Sequence, residues 1–334
     1  MPGNINAIAG ADAPTIAGAG YTLAVLIPCY NEEAAIAQVV TGFARSLPGA
    51  AIYVYDNNST DRTAEVARAA GAIVRREMLQ GKGNVVRRMF NDIDADIYVL
   101  VDGDNTYEAA AAPKLVEALL TQALDMVTGR RVTKIEAAYR PGHRFGNALL
   151  TNLVTMIFGH ATTDMLSGYR VFSRRFVKSF PALSDGFQIE TELTVHALEL
   201  RLPVAEIDTV YLDRGEGSTS KLDTWRDGIR ILHMITKLIK DERPFQFFAA
   251  LAVFCALLSI AIAVPVIAEY FRTHMVRRFP TAGLAAALMI VSALSFFAGL
   301  ILDTVSRGRQ EMKRLFYLQQ PGLPAQPVRD DLRG

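Results

Sequence analysis

Residues 22–31, TLAVLIPCYN, and residues 97–105, IYVLVDGDN, decide the fold. Each is a short apolar run that stops abruptly in polar residues, the pattern of a buried strand bounded by a loop. AIYVYDNNS (51–59) repeats the pattern, and DMVTGRR (125–131) reads as a further strand end. Between these runs lie segments of helical period: Glu32 to Arg45, TAEVARAAG (63–71) with Gly71 placed to cap it, and Pro113 to Gln122. Strands alternating with helices predict an α/β fold, a parallel sheet with helices on both faces. Such sheets bind ligands at the carboxyl ends of their strands. Asp56 and Asp102 fall at two of those ends.

The 334 residues carry a net charge of +1, so no global field points to nucleic acid, and no nucleic-acid partner is expected. Cys29 and Cys255 have neither metal-ligand spacing nor a disulfide partner, which suits a reducing compartment. Residues 1–20 contain no Lys or Arg and no continuous apolar run; they read as a disordered tail rather than a signal peptide. Residues 245–268 and 279–302 contain no charged side chain, and each exceeds the roughly 20 residues that a spanning helix needs. A pair of buried core helices is the alternative, but core helices rarely run this long without a polar face. Gly283, Ala285, Ala286, Ala287, Ser292, Ser295 and Gly299 would let the two spans pack closely.

Lys and Arg residues flank both outer ends of the pair, favouring a cytoplasmic position for both, although Arg272, Arg277 and Arg278 lie in the connecting loop. Trp225, Ile229, Leu232, Ile235 and Ile239 recur at helical spacing with basic residues off that stripe, as in a helix lying on a membrane surface or one packed on the sheet. Residues 145–159 form a second apolar stretch suited to membrane contact. The expected organisation is a tail (1–20), a catalytic domain (21–222), an interfacial amphipathic helix (223–244), a two-helix transmembrane hairpin (245–303) and a cytoplasmic C-terminal tail (304–334). The localisation that follows is integral to a membrane, with a bacterial cytoplasmic membrane expected and the catalytic domain on its cytoplasmic side.

Three short motifs carry chemistry. Asp102-Gly103-Asp104 offers two hard carboxylates one residue apart, suited to sharing Mg²⁺ or Mn²⁺ with phosphates. Asp56 to Asp61 follows a strand; Asp56 suits hydrogen bonds from a base or ribose, and Ser59 suits capping of the next helix. Gly81-Lys82-Gly83 combines close backbone approach with a phosphate-seeking charge, but it is not the longer loop ending in Gly-Lys-Ser/Thr of ATPases. Singly, these also read as an acidic turn, a capping turn and a surface loop. His143, His160, His196 and His233 have no mutual metal-binding spacing and read as structural or surface residues. Glu190 and Glu192, two apart on a helix, point in different directions.

In order, Pro28 with Asn31-Glu32-Glu33, Asp56 to Asp61 with Thr63, Gly81-Lys82-Gly83, and Asp102-Gly103-Asp104 resemble the motif set of inverting family 2 glycosyltransferases of GT-A fold. TDMLSGYRVFSRRF (163–176) and the two spans are similar to the polyprenyl-phosphate glycosyltransferases, which include dolichyl-phosphate mannose synthases and bactoprenol glucosyltransferases. The resemblance covers about residues 22–222, and the spans extend it to about 303.

That resemblance implies a nucleotide-sugar site from Pro28, Tyr30, Glu32, Asp56, Asn58, Lys82, Asp102, Gly103 and Gln188, with Gln188 and Glu190 facing the sugar. It implies that Asp102 and Asp104 hold the metal and diphosphate. Asp104, Asp164 and Arg170 would carry catalysis, Asp164 either as base or as an orienting residue. Arg144, Ser167, Arg170, Arg214, Ser220 and Lys221 would bind the acceptor phosphate. The implied reaction is hexose transfer, glucose or mannose, from a UDP- or GDP-sugar to polyprenyl phosphate at the bilayer, by a possible homo-oligomer. One departure is Asn57, where many relatives carry a second acid after Asp56.

Rival readings are a processive polysaccharide synthase, a glycolipid synthase using a non-phosphorylated acceptor, and a non-catalytic nucleotide-binding membrane protein. The first usually needs a Gln-x-x-Arg-Trp motif and more spans, whereas the single tryptophan here, Trp225, sits in Thr-Trp-Arg.

Overall fold

The computed structural model describes residues 20–132, 163–184, 189–212, 240 and 243–322. The chain divides into two compact units, Met1–Lys221 with Lys313–Gly334, and Leu222–Met312.

The first unit is built on β1 (Leu23–Cys29), β2 (Ala51–Asp56), β3 (Ile73–Arg76), β4 (Ile97–Leu100), β5 (Met126–Val132), β6 (Arg170–Ser173) and β7 (Val204–Val210). These form one sheet in the order β3-β2-β1-β4-β6-β5-β7. All pairings are parallel except those of β6, which runs antiparallel to β4 and β5. The fold is thus a mixed α/β, GT-A Rossmann-like sheet. Chain order reverses between β1 and β4, and it is at such a switch point, at the carboxyl ends of the strands, that sheets of this kind have their ligand crevice.

Alternation along the strands explains the two layers. Leu23, Val25 and Ile27 of β1, with Ile97 and Val99 of β4, face a core closed by α1 (Ile36–Ser46), α2 (Thr63–Ala69) and α4 (Ala112–Thr121). Ala24, Leu26, Tyr98 and Leu100 face the opposite core, closed by α3 (Lys82–Asp92), α5 (Arg174–Ser179) and α6 (Ile189–Glu199). A strand whose two faces are both covered must be apolar throughout, which is why these runs read as continuous rather than alternating.

Two local expectations differ. The first helix starts at Ile36, not Glu32, because a turn intervenes: the Glu32 carbonyl accepts from the N–H groups of Ala35 and Ile36 (both 3.0 Å). Ser59 does not cap α2. Its hydroxyl accepts from the Asn31 N–H instead (2.9 Å), tying the loop after β2 to the loop after β1. The helix begins at Thr63, whose Oγ1 accepts from the Glu32 N–H (2.8 Å), a second tie between those loops. Gly71, at φ +97°, closes the end of α2 as expected.

The second unit contains α7 (Pro244–Thr273) and α8 (Phe279–Gln319), both long and apolar enough to cross a membrane. α8 continues through the expected tail segment as far as Gln319, and from Lys313 onward it belongs to the first unit. Ser259 donates to the Ala285 carbonyl and Ser292 to the Ala252 carbonyl (both 2.7 Å), joining the two helices. Gly299 lets Phe245 and Phe248 approach. Ala285, Ser292, Ser295 and Gly299 are buried as the small-residue pattern predicts, whereas Gly283, Ala286 and Ala287 are exposed. Residues 145–159 and 223–239 lie outside the described residues.

Candidate active site

The floor of the crevice is the turn after β4. Gly103 is required there: a β-carbon would meet the Cys29 sulfur at 2.6 Å. Burial, reinforced by the carboxylates of Glu32, Asp56, Asp102 and Asp104, pushes the Cys29 thiol up, so it is a neutral packing group. Asp104 Oδ1 accepts from the N–H (3.2 Å) and hydroxyl (2.6 Å) of Thr106, which orients its carboxylate. Asp102 is partly exposed, and its Oδ1 accepts from Lys82 Nζ at 2.5 Å. Lys82 also donates to Glu190. Burial opposes the ammonium charge, yet Asp102 and Glu190 outweigh it and hold Lys82 above its ordinary range. Lys82 stands at the first turn of α3, where Gly81 reaches φ +130°, a conformation only glycine adopts easily.

The loop after β2 forms one wall. Asp56 is buried, and its Oδ1 accepts from the Ser59 N–H (3.3 Å). It lines a cavity of about 350 Å³ with Ser59, Arg68, Arg75 and Arg76. Asn57 accounts for the departure noted in the sequence. Its Nδ2 donates to the carbonyls of Glu77 (2.9 Å) and Leu79 (2.8 Å), and its Oδ1 accepts from the Gly81 N–H (2.7 Å). A carboxylate has no hydrogen to give the two carbonyls, so this arrangement demands an amide. Asn58, in the left-handed region at φ 63°, likewise donates to the Met78 carbonyl (2.9 Å). Both asparagines therefore strap down the strand-to-helix connection that presents Lys82. Pro28, near the end of β1, and Glu32, in the loop after it, are half-buried, and Tyr30 is exposed.

The opposite wall is residues 163–170. Asp164 forms a two-pronged ion pair with Arg131 at the end of β5: Nε to Oδ2 at 2.8 Å and Nη2 to Oδ1 at 2.7 Å. The Arg131 guanidinium also lies over the Tyr211 ring (5.5 Å). Gly168 donates its N–H to the Tyr107 hydroxyl (2.9 Å).

Two expected acceptor ligands are not at the surface. Ser167 is fully buried; its hydroxyl donates to the Gly129 carbonyl (2.6 Å) and accepts from the Tyr169 N–H (3.2 Å). Arg170 is also fully buried, donating to the carbonyls of Ser167 (3.0 Å) and Met165 (2.7 Å) and to the Thr194 hydroxyl (2.8 Å). As folded, these side chains are buried and bonded within the protein. The physical reason is strand register: Arg170 opens β6, a central strand covered on both sides.

Glu190, expected to face a sugar, is the buried partner of Lys82, while Glu192 turns away to accept from the Leu183 and Ser184 N–H groups (both 2.8 Å). Arg144, Gln188, Arg214, Ser220 and Lys221 lie outside the described residues. Arg131 and Tyr107 were missed by sequence reasoning. The Gly-Arg-Arg at a strand end was the available signal for Arg131; Tyr107 had none.

Among the described residues, no cluster of three or more His, Cys, Asp or Glu side chains forms a closed metal cage. Asp102 and Asp104 nevertheless fit a divalent cation of the open kind. They are hard donors, both partly accessible at one strand end, and such ions commonly take one or two carboxylates and fill the remaining positions with phosphates and water.

The family model described as Glycosyl transferase family 2 matches residues 24–180. The chain is 34% identical over 303 residues to Glycosyltransferase AglJ of Haloferax volcanii, covering 88% of this chain and 97% of that protein. It is 31% identical to the Dolichyl-phosphate hexose transferase of the same organism, over 66% of this chain and 95% of that one. Among solved structures, glucosyl-3-phosphoglycerate synthase from Mycobacterium tuberculosis, in complex with Mn²⁺, UDP and glucosyl-3-phosphoglycerate, superposes with a TM-score of 0.55 at 24% identity. That match covers 66% of this chain and 80% of that one.

Proposed function

The chain belongs to glycosyl transferase family 2, and on that premise we propose that it transfers a hexose from a UDP- or GDP-sugar to a polyprenyl phosphate at a membrane, yielding a lipid-linked sugar. The observation that carries this reading is the convergence of Lys82 on Asp102, beside Asp104, at the carboxyl edge of the sheet, in a chain that also bears two long apolar helices. The relative named for dolichyl-phosphate hexose transfer supports the lipid acceptor, and the Mn²⁺- and UDP-bound neighbour supports a cation-assisted nucleotide site.

Asp102 and Asp104 hold Mg²⁺ or Mn²⁺ in this reading; when bound, the ion neutralises charge on the leaving diphosphate. Lys82, whose backbone the Asn57 strap presents through Gly81, adds a positive charge on the same side. Asp56 accepts hydrogen bonds from the nucleoside, whose base has room in the adjoining cavity. An acceptor phosphate is already ionised near neutral pH and needs little general-base help, so positioning dominates. Its oxygen attacks the anomeric carbon as the bond to the diphosphate breaks, inverting that carbon and releasing a nucleoside diphosphate. Both oxygens of Asp164 are engaged by Arg131, which favours an orienting role for that carboxylate over a proton-accepting one. Arg144, Arg214, Ser220 and Lys221 are proposed to contact the acceptor phosphate. We assign α7 and α8 to a membrane hairpin, with 223–244 as the interfacial segment.

Purified full-length protein should release UDP or GDP from a nucleotide-hexose only when undecaprenyl or dolichyl phosphate and Mg²⁺ or Mn²⁺ are supplied. Asp104→Asn should reduce that turnover by roughly 10²-fold or more, since loss of a charge-neutralising ligand is worth several kcal/mol. Equal turnover with an unphosphorylated lipid alcohol, or near-normal turnover by the variant, would reject the proposal.

A further inference from the structure

Lys82 is shared between two carboxylates that lie far apart in sequence, Asp102 after β4 and Glu190 in the first turn of α6. The two are not equivalent. Asp102 is partly exposed, whereas Glu190 is buried at 5% exposure. Only one Glu190 oxygen is engaged among the described residues: Oε1 accepts from Lys82, while Oε2 is buried and has no hydrogen-bond partner there. A buried carboxylate oxygen left unpaired is costly and calls for an explanation.

Cation binding supplies one. A divalent ion entering at Asp102 brings like charge beside the Lys82 ammonium and competes with it for the same carboxylate. Lys82 can then draw on a counter-charge that the ion does not claim. Glu190 provides it within the same hydrogen-bonded contact, and its spare oxygen can receive a second bond when Nζ moves off Asp102.

We propose that Glu190 is a positioning residue that takes over Lys82 when Asp102 turns to the divalent cation, so that ligand-free charge balance and cation binding use the same lysine in two places. The inference rests on the reading of Asp102 as a cation ligand. Glu190 acts through Lys82 and Asp102, so its primary effect is on cation affinity rather than on the reacting atoms.

Mn²⁺ binding to the full-length protein in detergent, without nucleotide, tests this, counted by the electron paramagnetic resonance signal of the free ion. In Glu190→Gln the amide keeps the shape but not the charge. Lys82 stays on Asp102, and Mn²⁺ affinity should fall on the order of 10-fold, the scale seen when a residue supporting a metal ligand is removed. Adding Lys82→Met to that variant removes the competitor, and affinity should return most of the way to wild type. A purely structural role for Glu190 would not give that recovery.

If Glu190→Gln does not fold, as read by its thermal transition, Glu190→Asp carries the same comparison, because its shortened side chain withdraws the carboxylate from Nζ. Wild-type affinity in the variant that folds, or no recovery in the corresponding double variant, overturns the inference. Asp102→Asn separates the two ideas. If it weakens Mn²⁺ binding while Glu190 variants do not, only the inference falls; if it binds as tightly as wild type, the cation-site reading falls with it.

Discussion

Gly168 packs its bare α-carbon against the Asp102 carboxylate: a β-carbon added at Gly168 would lie 2.2 Å from Oδ2 and 2.8 Å from Cγ. The 163–170 wall and the turn after β4 are therefore fitted to each other at the carboxylate proposed to hold the cation. The obstructing atoms are the end of a side chain, which can rotate away without unfolding the protein. Gly168→Ala should keep a near-normal thermal transition yet lose turnover by about 10²-fold, the cost of misplacing a catalytic group by an ångström or so. Turnover within a factor of two of wild type would show that the Asp102 position does not matter.

Asn57 joins three backbone groups of the 77–81 connection, and its replacement by the second acid that the family resemblance implies should be harmful here. In Asn57→Asp, carboxylate oxygen faces the Glu77 and Leu79 carbonyls in a site only 3% exposed. The expected loss is about 2–3 kcal/mol from leaving buried acceptors unpaired. The Michaelis constant for the nucleotide-sugar should also rise, because Lys82 is presented from this strap. Chemical denaturation and donor titration read the two effects separately; unchanged values in both would refute the argument.

His196 gives the first unit an acid sensitivity. It is buried edge-on to Phe176 and Phe180 (both 5.3 Å), and burial, aided by Lys313, depresses its pKa to about 3. The unfolded chain binds a proton near pH 6.5 that the folded chain refuses. Stability from this group is therefore complete above pH 6.5 and is lost as pH falls toward 3, with a slope of roughly 1.4 kcal/mol per pH unit for one proton. The melting temperature of wild type should fall more steeply between pH 6.5 and 5 than that of His196→Gln. Parallel curves would contradict the assignment.

The end of α8 completes a buried polar site in the first unit. Asp125 is fully buried and accepts from Ser173 Oγ (2.6 Å), Arg175 (2.5 and 3.0 Å) and the Tyr317 hydroxyl (2.7 Å). Lys313 pairs with Glu199 nearby (2.6 Å). Tyr317→Phe retains the ring beneath Arg175 but removes one donor to a buried carboxylate, and should cost about 1.5–3 kcal/mol. A thermal transition equal to wild type would place Tyr317 outside the folded unit in solution.

Much of this architecture was legible residue by residue. Leu23–Cys29 and Ile97–Leu100 read as buried strands because a strand covered on both faces has no polar positions to interrupt it. Asp56, Asp102 and Asp104 read as site residues because each stands at or just past the carboxyl end of such a strand, and Lys82 because it stands between glycines before a helix. The two charge-free segments read as long helices from length and composition alone.

What the sequence could not supply are relationships between residues far apart along the chain. The antiparallel insertion of β6 buries Arg170, and Ser167 is buried just before that strand, although the family resemblance implied a phosphate contact for both. The same packing joins Lys82 to Glu190, 108 positions away, and Arg131 to Asp164, 33 positions away. Local periodicity is set by which faces a strand or helix must bury, so one stretch of residues contains it. The partner of a charge is set by sheet order and by how closely two backbones approach, and those exist only once the whole domain has closed on its core.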